Sequence, residues 1–276
     1  MSVEINNKLS VSIILPTLNE LENIKKLIPE INKELEAISD LEQYQIIVVD
    51  DNSEDETENY LKHQIKETPN VFKYLIRNDN RSLSESILDG IKYSDYDYVI
   101  WLDADGSMDA KSIVKLISFQ NENKSSVIIG SRFVEGGGYK GIKGGQAEGI
   151  ISASKQVIKS KDSVLGLVLS IIFNKLLLII LPTGVKDITS GFISINKKLI
   201  NDNIFLEKNY GEYFIYLVTN VLIKKQNIIE VGYICKTREH GESKTAPSLI
   251  KLIKRGLPYI KAANESRRNL KNAHKR

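Results

Sequence analysis

Residues 96–109 read YDYVIWLDADGSMD. The apolar run Tyr98–Leu102 between two aspartates predicts a short strand that is buried on both faces. Two acids one residue apart, Asp103 and Asp105, follow this strand, and Gly106 lets the backbone turn behind them. Because alternate residues of a strand share a face, both carboxylates can reach one hard cation. Alone, the segment fits a metal–nucleotide site and an Asp-rich turn equally well.

The rest of the first half of the chain repeats the same strand–helix unit. Apolar runs at 11–15, 45–49, 71–76 and 127–129 predict further strands, and apolar residues at helical spacing between them predict helices. This alternation predicts an α/β fold with a mostly parallel central sheet. Such sheets bind ligands at the carboxyl ends of their strands, and the 45–49 strand also ends in paired acids, Asp50 and Asp51. The first strand runs into PTLNELEN, which lacks the glycine pattern of a dinucleotide site.

Composition places the chain among globular proteins and points to an anionic partner. The 276 residues are 42% hydrophobic and 26% charged, which suits one large domain or two small ones. The single Cys235 excludes an intrachain disulfide framework and favours a reducing compartment, and we expect no secretory signal at the N-terminus. Residues 1–60 carry 14 acidic and 4 basic side chains, whereas residues 240–276 carry 2 acidic and 10 basic. Without zinc spacing or interleaved aromatic residues, this basic end favours an anionic membrane surface over nucleic acid.

Two segments of the second half have more than one interpretation. The glycine-rich stretch 135–149 fits either a loop that reshapes on substrate binding or a plain surface loop. Residues 165–181 are the most apolar stretch, but 17 residues is short for a membrane span, and Asn174 and Lys175 interrupt the stretch. We expect a helix lying in the membrane interface, within an interfacial region at 139–182, and a buried core helix is the alternative.

The C-terminal segment predicts a basic amphipathic helix. Apolar residues alternate with lysine and arginine from Leu249 onward, and Pro258 is expected to kink or end the helix. We therefore divide the chain into a main domain at 1–248 and a membrane-surface tail at 249–276. A solvated surface helix is the alternative for the tail.

Six motifs in register give a family resemblance that covers roughly residues 10–250. In order they are SIILPTLNE, IVVDDNSEDET, WLDADGSMD, IGSRFVEGG, DITSGF and REHGESK. This set resembles the GT-A glycosyltransferases of family 2, and among them the dolichol-phosphate (polyprenol-phosphate) mannosyltransferases. The resemblance implies a GT-A fold, a divalent cation (Mg²⁺ or Mn²⁺), and inverting transfer of mannose from GDP-mannose to a polyprenyl (dolichyl) phosphate. It also implies a peripheral protein on the cytoplasmic face of a membrane, and it leaves open a membrane partner subunit.

The resemblance further implies a role for individual residues. The acids Asp103 and Asp105, with Asp187 and Arg132, would form the catalytic set, and Ser107 would join the two acids at the metal. The nucleotide-sugar pocket would also contain the motif residues Pro16, Leu18, Glu20, Val49, Asp51, Ala104, Arg238 and Lys244. The acceptor phosphate would lie near Arg132, Ser190 and Ser243.

The expected chemistry suits the residue types present. A hard cation held by carboxylates, together with arginine and lysine, stabilises the charge that builds up on a leaving diphosphate. The attacking phosphate monoester is already ionised near pH 7, so no general base is needed and the scarcity of histidine is no obstacle. Two alternatives remain, a transfer of glucose from UDP-glucose and a catalytically weak GT-A module that serves as a binding subunit.

Overall fold

The computed structural model describes residues 8–39, 41–139, 142–143, 164–208, 210–236, 249–273 and 275. The predicted strand–helix alternation is confirmed in these residues. In chain order the elements are β1 (Leu9–Thr17), α1 (Leu21–Glu36), β2 (Leu41–Asp50), α2 (Thr57–Glu67), β3 (Phe72–Ile76), α3 (Leu83–Tyr93), β4 (Tyr98–Trp101), α4 (Ala110–Glu122), β5 (Val127–Ser131), β6 (Gly138–Tyr139), β7 (Ile142–Lys143), α5 (Val164–Ile180), β8 (Ile193–Asn196), α6 (Tyr213–Ile223), β9 (Ile228–Gly232), β10 (Ile234–Cys235) and α7 (Leu249–Ala273).

The main sheet has the strand order β3-β2-β1-β4-β8-β5-β9, and it is parallel except for β8. The predicted mostly parallel sheet is therefore confirmed, while the direction of β8 was not predicted. Because β8 is antiparallel, its first residues lie beside the last residues of β4, with Ile193 opposite Trp101. The loop that precedes β8 therefore reaches the same edge as Asp103. A second sheet, β10-β6-β7, begins beside the carboxyl end of β5, where the Tyr233 amide donates to the Ser131 carbonyl at 3.1 Å.

Helices cover both faces of the sheet, which explains the continuous apolar runs of its central strands. One face packs on α1, α2 and α4, and the other packs on α3 and α6. Gly90 allows α3 to approach β1 closely, because a Cβ atom there would lie 2.5 Å from Cγ2 of Ile14. Helix α3 therefore packs in direct contact with the central strand β1.

A third cluster joins α5 and α7 to α6 through Leu177, Leu181, Ile215, Ala262 and Ala263. The outer side of α5 stays exposed, so the described part of this helix is not a plain core helix. Among the described residues, no helix combines the length and apolar character needed to cross a bilayer.

Of the two expectations for Pro258, a kink or an end of the C-terminal helix, the end is wrong. Helix α7 continues through Pro258 to Ala273. Proline inside a helix costs about 3 kcal/mol in an exposed setting. Here Ala262, Ala263 and Ser266 lie fully buried one to two turns further on, and this packing favours continuation of the helix.

Candidate active site

The predicted site residues within the described ranges converge on the carboxyl edge of the main sheet. The Cys235 thiol, at the end of β10, lies within electrostatic reach of Asp103, Asp105, Asp187 and Arg132. Burial raises the pKa of this thiol to about 11, and the nearby carboxylates add to the shift while Arg132 opposes it. Three separate sequence motifs therefore meet in one small region.

The loop after β4 is held by two hydrogen bonds from backbone amides. The Ser107 amide donates to Oδ1 of Asp105 at 2.9 Å, and the Lys236 amide donates to the Ser107 carbonyl at 2.8 Å. Gly106 has φ +75°, a left-handed conformation that glycine adopts without strain. Asp105 and Ala104 are buried and Asp103 is half-buried. The two acids thus lie in one tight turn, where the Asp105 carboxylate is held by a hydrogen bond.

Asp109 ends this turn and begins α4. Its Oδ1 accepts from the amide and the hydroxyl of Ser112, at 2.9 and 2.6 Å. Burial alone would raise the pKa of Asp109, but these hydrogen bonds and Lys236 outweigh burial and lower it. Asp109 is therefore the N-terminal cap of α4.

The predicted nucleotide residues line the ends of β1 and β2. Pro16 lies opposite Val49 in the strand register, and the Asp51 amide donates to the Thr17 carbonyl at 2.8 Å. Leu18 is half-buried just beyond this pair. The side chain of the remaining predicted residue, Glu20, is also half-buried, and its Oε2 accepts from Asn23 at 2.6 Å.

Asp51 is held by a residue that sequence reasoning missed. Nη1 of Arg77 lies 2.5 Å from Oδ1 of Asp51, and the Ser82 amide donates to Oδ2 at 2.6 Å. The same guanidinium contacts Glu85 and Asp89, and its side chain is 3% exposed. Burial raises the pKa of Asp51, and Arg77 partly offsets this shift. The sequence did contain one indication of this role. Arg77 directly follows the β3 strand, just as the predicted site residue Arg132 directly follows β5.

Arg132 and Asp187 form a buried ion pair across the ends of β5 and the loop before β8. Nε and Nη2 of Arg132 donate to the two oxygens of Asp187 at 2.8 and 2.7 Å, and the Arg132 amide donates at 2.9 Å. Asp187 is fully buried. Burial alone would lower the pKa of Arg132, but the Asp187 carboxylate outweighs it and raises the pKa well above its ordinary value. Arg132 therefore stays a fixed cation at the edge of the site.

Of the remaining predicted site residues, only Ser190 lies within the described ranges. The Ser190 hydroxyl donates to the Gly130 carbonyl and accepts from the Phe192 amide at 3.2 Å, so it shapes the turn into β8. Arg238, Ser243 and Lys244 lie outside the described residues, as does most of the glycine-rich stretch.

The residues present suit a divalent cation bound together with a ligand. Among the described residues, no group of three or more His, Cys, Asp or Glu side chains could hold a metal. Asp103 and Asp105 instead offer two carboxylates in one turn. Mg²⁺ is commonly bound by one or two carboxylates and completed by phosphate oxygens of the substrate. The donor set therefore fits a metal that arrives with a diphosphate.

Known sequences match most of this chain. The sequence model of glycosyl transferase family 2 matches residues 12–203. A dolichol-phosphate mannosyltransferase from Pyrococcus furiosus is 30% identical over 236 residues, which cover 86% of this chain and 59% of that protein. A poly(ribitol-phosphate) β-N-acetylglucosaminyltransferase from Staphylococcus aureus is 33% identical over 46% of this chain and 38% of its own length. The chain thus spans little more than half the length of the first relative.

Solved structures share the fold. The glucosyl-3-phosphoglycerate synthase of Mycobacterium tuberculosis, solved with Mn²⁺ and UDP, has a TM-score of 0.61 at 16% identity, covering 94% of this chain and 80% of that protein. The mannosyl-3-phosphoglycerate synthase of Rubrobacter xylanophilus has a TM-score of 0.59 at 15% identity, covering 95% and 74%. At these identities the likeness shows a common GT-A-like α/β fold.

Proposed function

This chain belongs to glycosyl transferase family 2, and on that premise we propose that it transfers mannose from GDP-mannose to a polyprenyl phosphate with inversion at the sugar. The observation that carries the proposal is the meeting of Asp103 and Asp105 with the Arg132–Asp187 pair at one sheet edge. Carboxylates for a cation and a fixed arginine suit two substrates that both carry phosphate. The dolichol-phosphate mannosyltransferase relative supports mannose as the sugar and a polyprenyl phosphate as the acceptor.

The chain's own residues divide between the two substrates. We assign the ends of β1 and β2, with Asp51, to the nucleotide, and Asp103 and Asp105 to the diphosphate through a divalent cation, with Ser107 as a further oxygen ligand. A bound cation would supply electrostatic stabilisation of the leaving diphosphate. We assign Arg132, with Ser190 beside it, to the acceptor phosphate.

The transfer needs positioning more than proton chemistry. The acceptor phosphate attacks the anomeric carbon from the face opposite the diphosphate, which inverts the configuration. Holding the two substrates in line supplies much of the rate. Arg132 is suited to this task, because its pairing with Asp187 fixes the direction of the guanidinium before the acceptor arrives.

The test is a donor panel with a matched pair of variants. The full chain is assayed with GDP-mannose, UDP-glucose and UDP-N-acetylglucosamine against a polyprenyl phosphate, with Mn²⁺ or EDTA. We expect transfer from GDP-mannose that EDTA abolishes, and Asp105→Asn should lower turnover by about two orders of magnitude. The control is Asp97→Asn, at the opposite end of β4 on the exposed surface, where the carboxylate pairs with Lys198.

Each alternative has its own outcome in this panel. Preferred transfer from UDP-glucose would replace the sugar assignment. Full turnover in EDTA or in Asp105→Asn would refute the metal assignment. Binding of a nucleotide sugar without transfer from any donor would make the chain a binding subunit.

We also propose that the protein binds an anionic membrane surface through α5 and α7. Three large apolar side chains on the outer side of α5 are exposed, namely Ile172 (55%), Leu176 (41%) and Ile179 (75%). They are spaced i, i+4 and i+7, so they form one stripe along the helix. Exposed Lys254 and Lys261 on α7 supply positive charge, as an interfacial site requires.

Vesicle sedimentation tests the membrane proposal. Replacing the three α5 side chains by serine should weaken binding to anionic vesicles, whereas Phe119→Ser, at an exposed apolar position on α4, should not. Equal binding by the triple variant would refute the assignment of α5. Truncation at residue 249 is unsuitable as a test, because Ala262 and Ala263 of α7 are part of the folded core.

A further inference from the structure

The short segment that carries Asp187 is held by two side chains from different elements. From α5, Nδ2 of Asn174 donates to the Lys186 carbonyl at 2.7 Å, while its Oδ1 accepts from the Ile188 amide at 3.2 Å. From β9, the Glu230 carboxylate accepts from the amides of Lys186 and Asp187 at 2.7 and 3.0 Å. These contacts hold the backbone on both sides of Asp187.

Asn174 is a buried polar side chain in a mostly apolar helix. Its side chain is 2% exposed in a helix whose neighbouring buried residues are Leu177 and Leu181. Burying an amide costs free energy unless the amide is hydrogen-bonded. Hydrogen bonds at both its NH₂ group and its oxygen offset this cost. Here the donor end and the acceptor end both bind the 186–188 backbone, and Oδ1 also lies 3.4 Å from the Thr189 hydroxyl.

The chain of contacts continues from Asn174 to the cation of the site. The Thr189 hydroxyl accepts from Nη2 of Arg132 at 3.0 Å, and Asp187 binds the same guanidinium. We propose that Asn174 is a positioning residue that fixes Asp187 and Arg132 from helix α5, with Glu230 holding the same segment from the other side. This inference deepens the proposed function and rests on it for the kinetic readout only.

The position of Asn174 also gives α5 a double role. Its outer side carries the exposed stripe of Ile172, Leu176 and Ile179, and its inner side holds the segment of the catalytic ion pair. The helix that we assign to the membrane surface is therefore the helix that orients Arg132. A displacement of about 1 Å at a reacting group can cost about a hundredfold in rate.

The decisive variant is Asn174→Asp, compared with Gln120→Glu. When the introduced carboxyl group is protonated, it offers a donor and an acceptor as the asparagine amide does, whereas its ionised form repels the Lys186 carbonyl and the Asp187 and Glu230 carboxylates. Gln120 is the matched control, since its buried amide also makes three hydrogen bonds, to Asn123, Ser126 and Ser194, near the amino end of β5. Both variants bury a new carboxyl group, but only one of them touches the Asp187 segment.

Arg132 and two tyrosines near α5 keep their charge state between pH 6 and 8.5. Arg132 stays charged, because the Asp187 carboxylate raises its pKa well above the ordinary value. Tyr216 of α6 and Tyr259 of α7 stay neutral up to pH 8.5, because burial raises the pKa of both hydroxyls. The Tyr216 hydroxyl donates to Glu265 of α7. Glu265 is present in both variants, so it affects both in the same way.

We expect kcat of Asn174→Asp to fall about tenfold at pH 8.5 and to recover towards the parent value as the pH is lowered to 6. The KM for the nucleotide sugar should change less than about twofold, because Asp51 and its neighbours lie apart from this segment. Gln120→Glu should lose thermal stability but keep its kcat at both pH values. Parent-like kcat in Asn174→Asp at pH 8.5, or an equal loss in Gln120→Glu, would overturn the proposal.

A second measurement does not depend on transfer activity. Nε of Arg132 and Nε of Arg77 each donate to a carboxylate at 2.8 Å, so the two N–H groups should exchange slowly with water in the parent. Asn174→Asp at pH 8.5 should accelerate exchange at Arg132 while Arg77 serves as the internal reference. Glu230→Gln, at a half-buried position, gives the same comparison if Asn174→Asp fails to fold. Unchanged exchange at Arg132 refutes the positioning role, whereas absence of transfer in the parent refutes only the proposed function.

Discussion

Removal of the Arg132 guanidinium should strongly destabilise the protein. In Arg132→Met the fully buried Asp187 keeps the bond from the backbone amide of residue 132 but loses both bonds from the guanidinium. Removal of one partner of a buried ion pair costs about 3–5 kcal/mol. For a chain of this length each kcal/mol corresponds to about 2–4 °C in Tm, so we expect Tm to fall by about 6–20 °C.

The matched control is Arg81→Met, because the Arg81–Glu54 pair is solvent-exposed, with side chains 43% and 76% accessible. Exposed pairs contribute about 0–1 kcal/mol, so this variant should unfold close to the parent in urea. A buried carboxylate without its cation favours the protonated form, so the loss in Arg132→Met should shrink from pH 8 towards pH 5. Equal urea midpoints for the two variants, or a loss independent of pH, would refute the reasoning.

Three further predictions concern single side chains around the site. Tyr233→Phe should raise the free energy of unfolding by about 1–3 kcal/mol in urea denaturation, because the buried Tyr233 hydroxyl has no hydrogen-bond partner among the described residues. Asp109→Asn keeps an oxygen that can cap α4 but loses the charge that faces Lys236 and the helix N-terminus, so it should lower stability by about 0.5 kcal/mol at pH 7. Folding lowers the pKa of Asp109, so the stability difference between parent and variant should persist down to about pH 5. It should disappear as the pH falls further, through the pKa of Asp109 in the folded protein. A series of urea midpoints measured at different pH values can show this. The Cys235 thiol, with its pKa raised to about 11, should resist alkylation at pH 7.5 until the protein is denatured.

Much of the scaffold was predictable because its signals are local. The apolar runs of β1, β2 and β4 are long enough to identify buried strands, and the helical spacing between them identifies α1 and α3. Parallel strands place their carboxyl ends at one edge, so Asp51 and Asp103 could be assigned to the same edge before any coordinates. The turn at Gly106 also follows from residue type, since glycine adopts φ +75° without strain.

The partners of these acids could not be predicted in the same way. Arg77 pairs with Asp51 across 26 residues, and Arg132 pairs with Asp187 across 55 residues. No local pattern encodes such a contact, because it depends on which strands become neighbours. The contact of Arg132 was further hidden by the direction of β8, which alone brings the Asp187 loop to the site.

Asn174 shows most clearly what the sequence determines and what the tertiary structure determines. The sequence determined that an amide interrupts an apolar helix, which argued against a membrane span. Whether that amide faces lipid, water or protein depends on the rotation of α5 against α6 and α7, which is set by the packing of Leu177, Leu181 and Ala262. The sequence by itself therefore determined the sheet, its acid-bearing edge and the family motifs. Only the tertiary structure decided which side chains hold those motifs in place, because hydrogen bonds between distant segments form only after the core has fixed their separation.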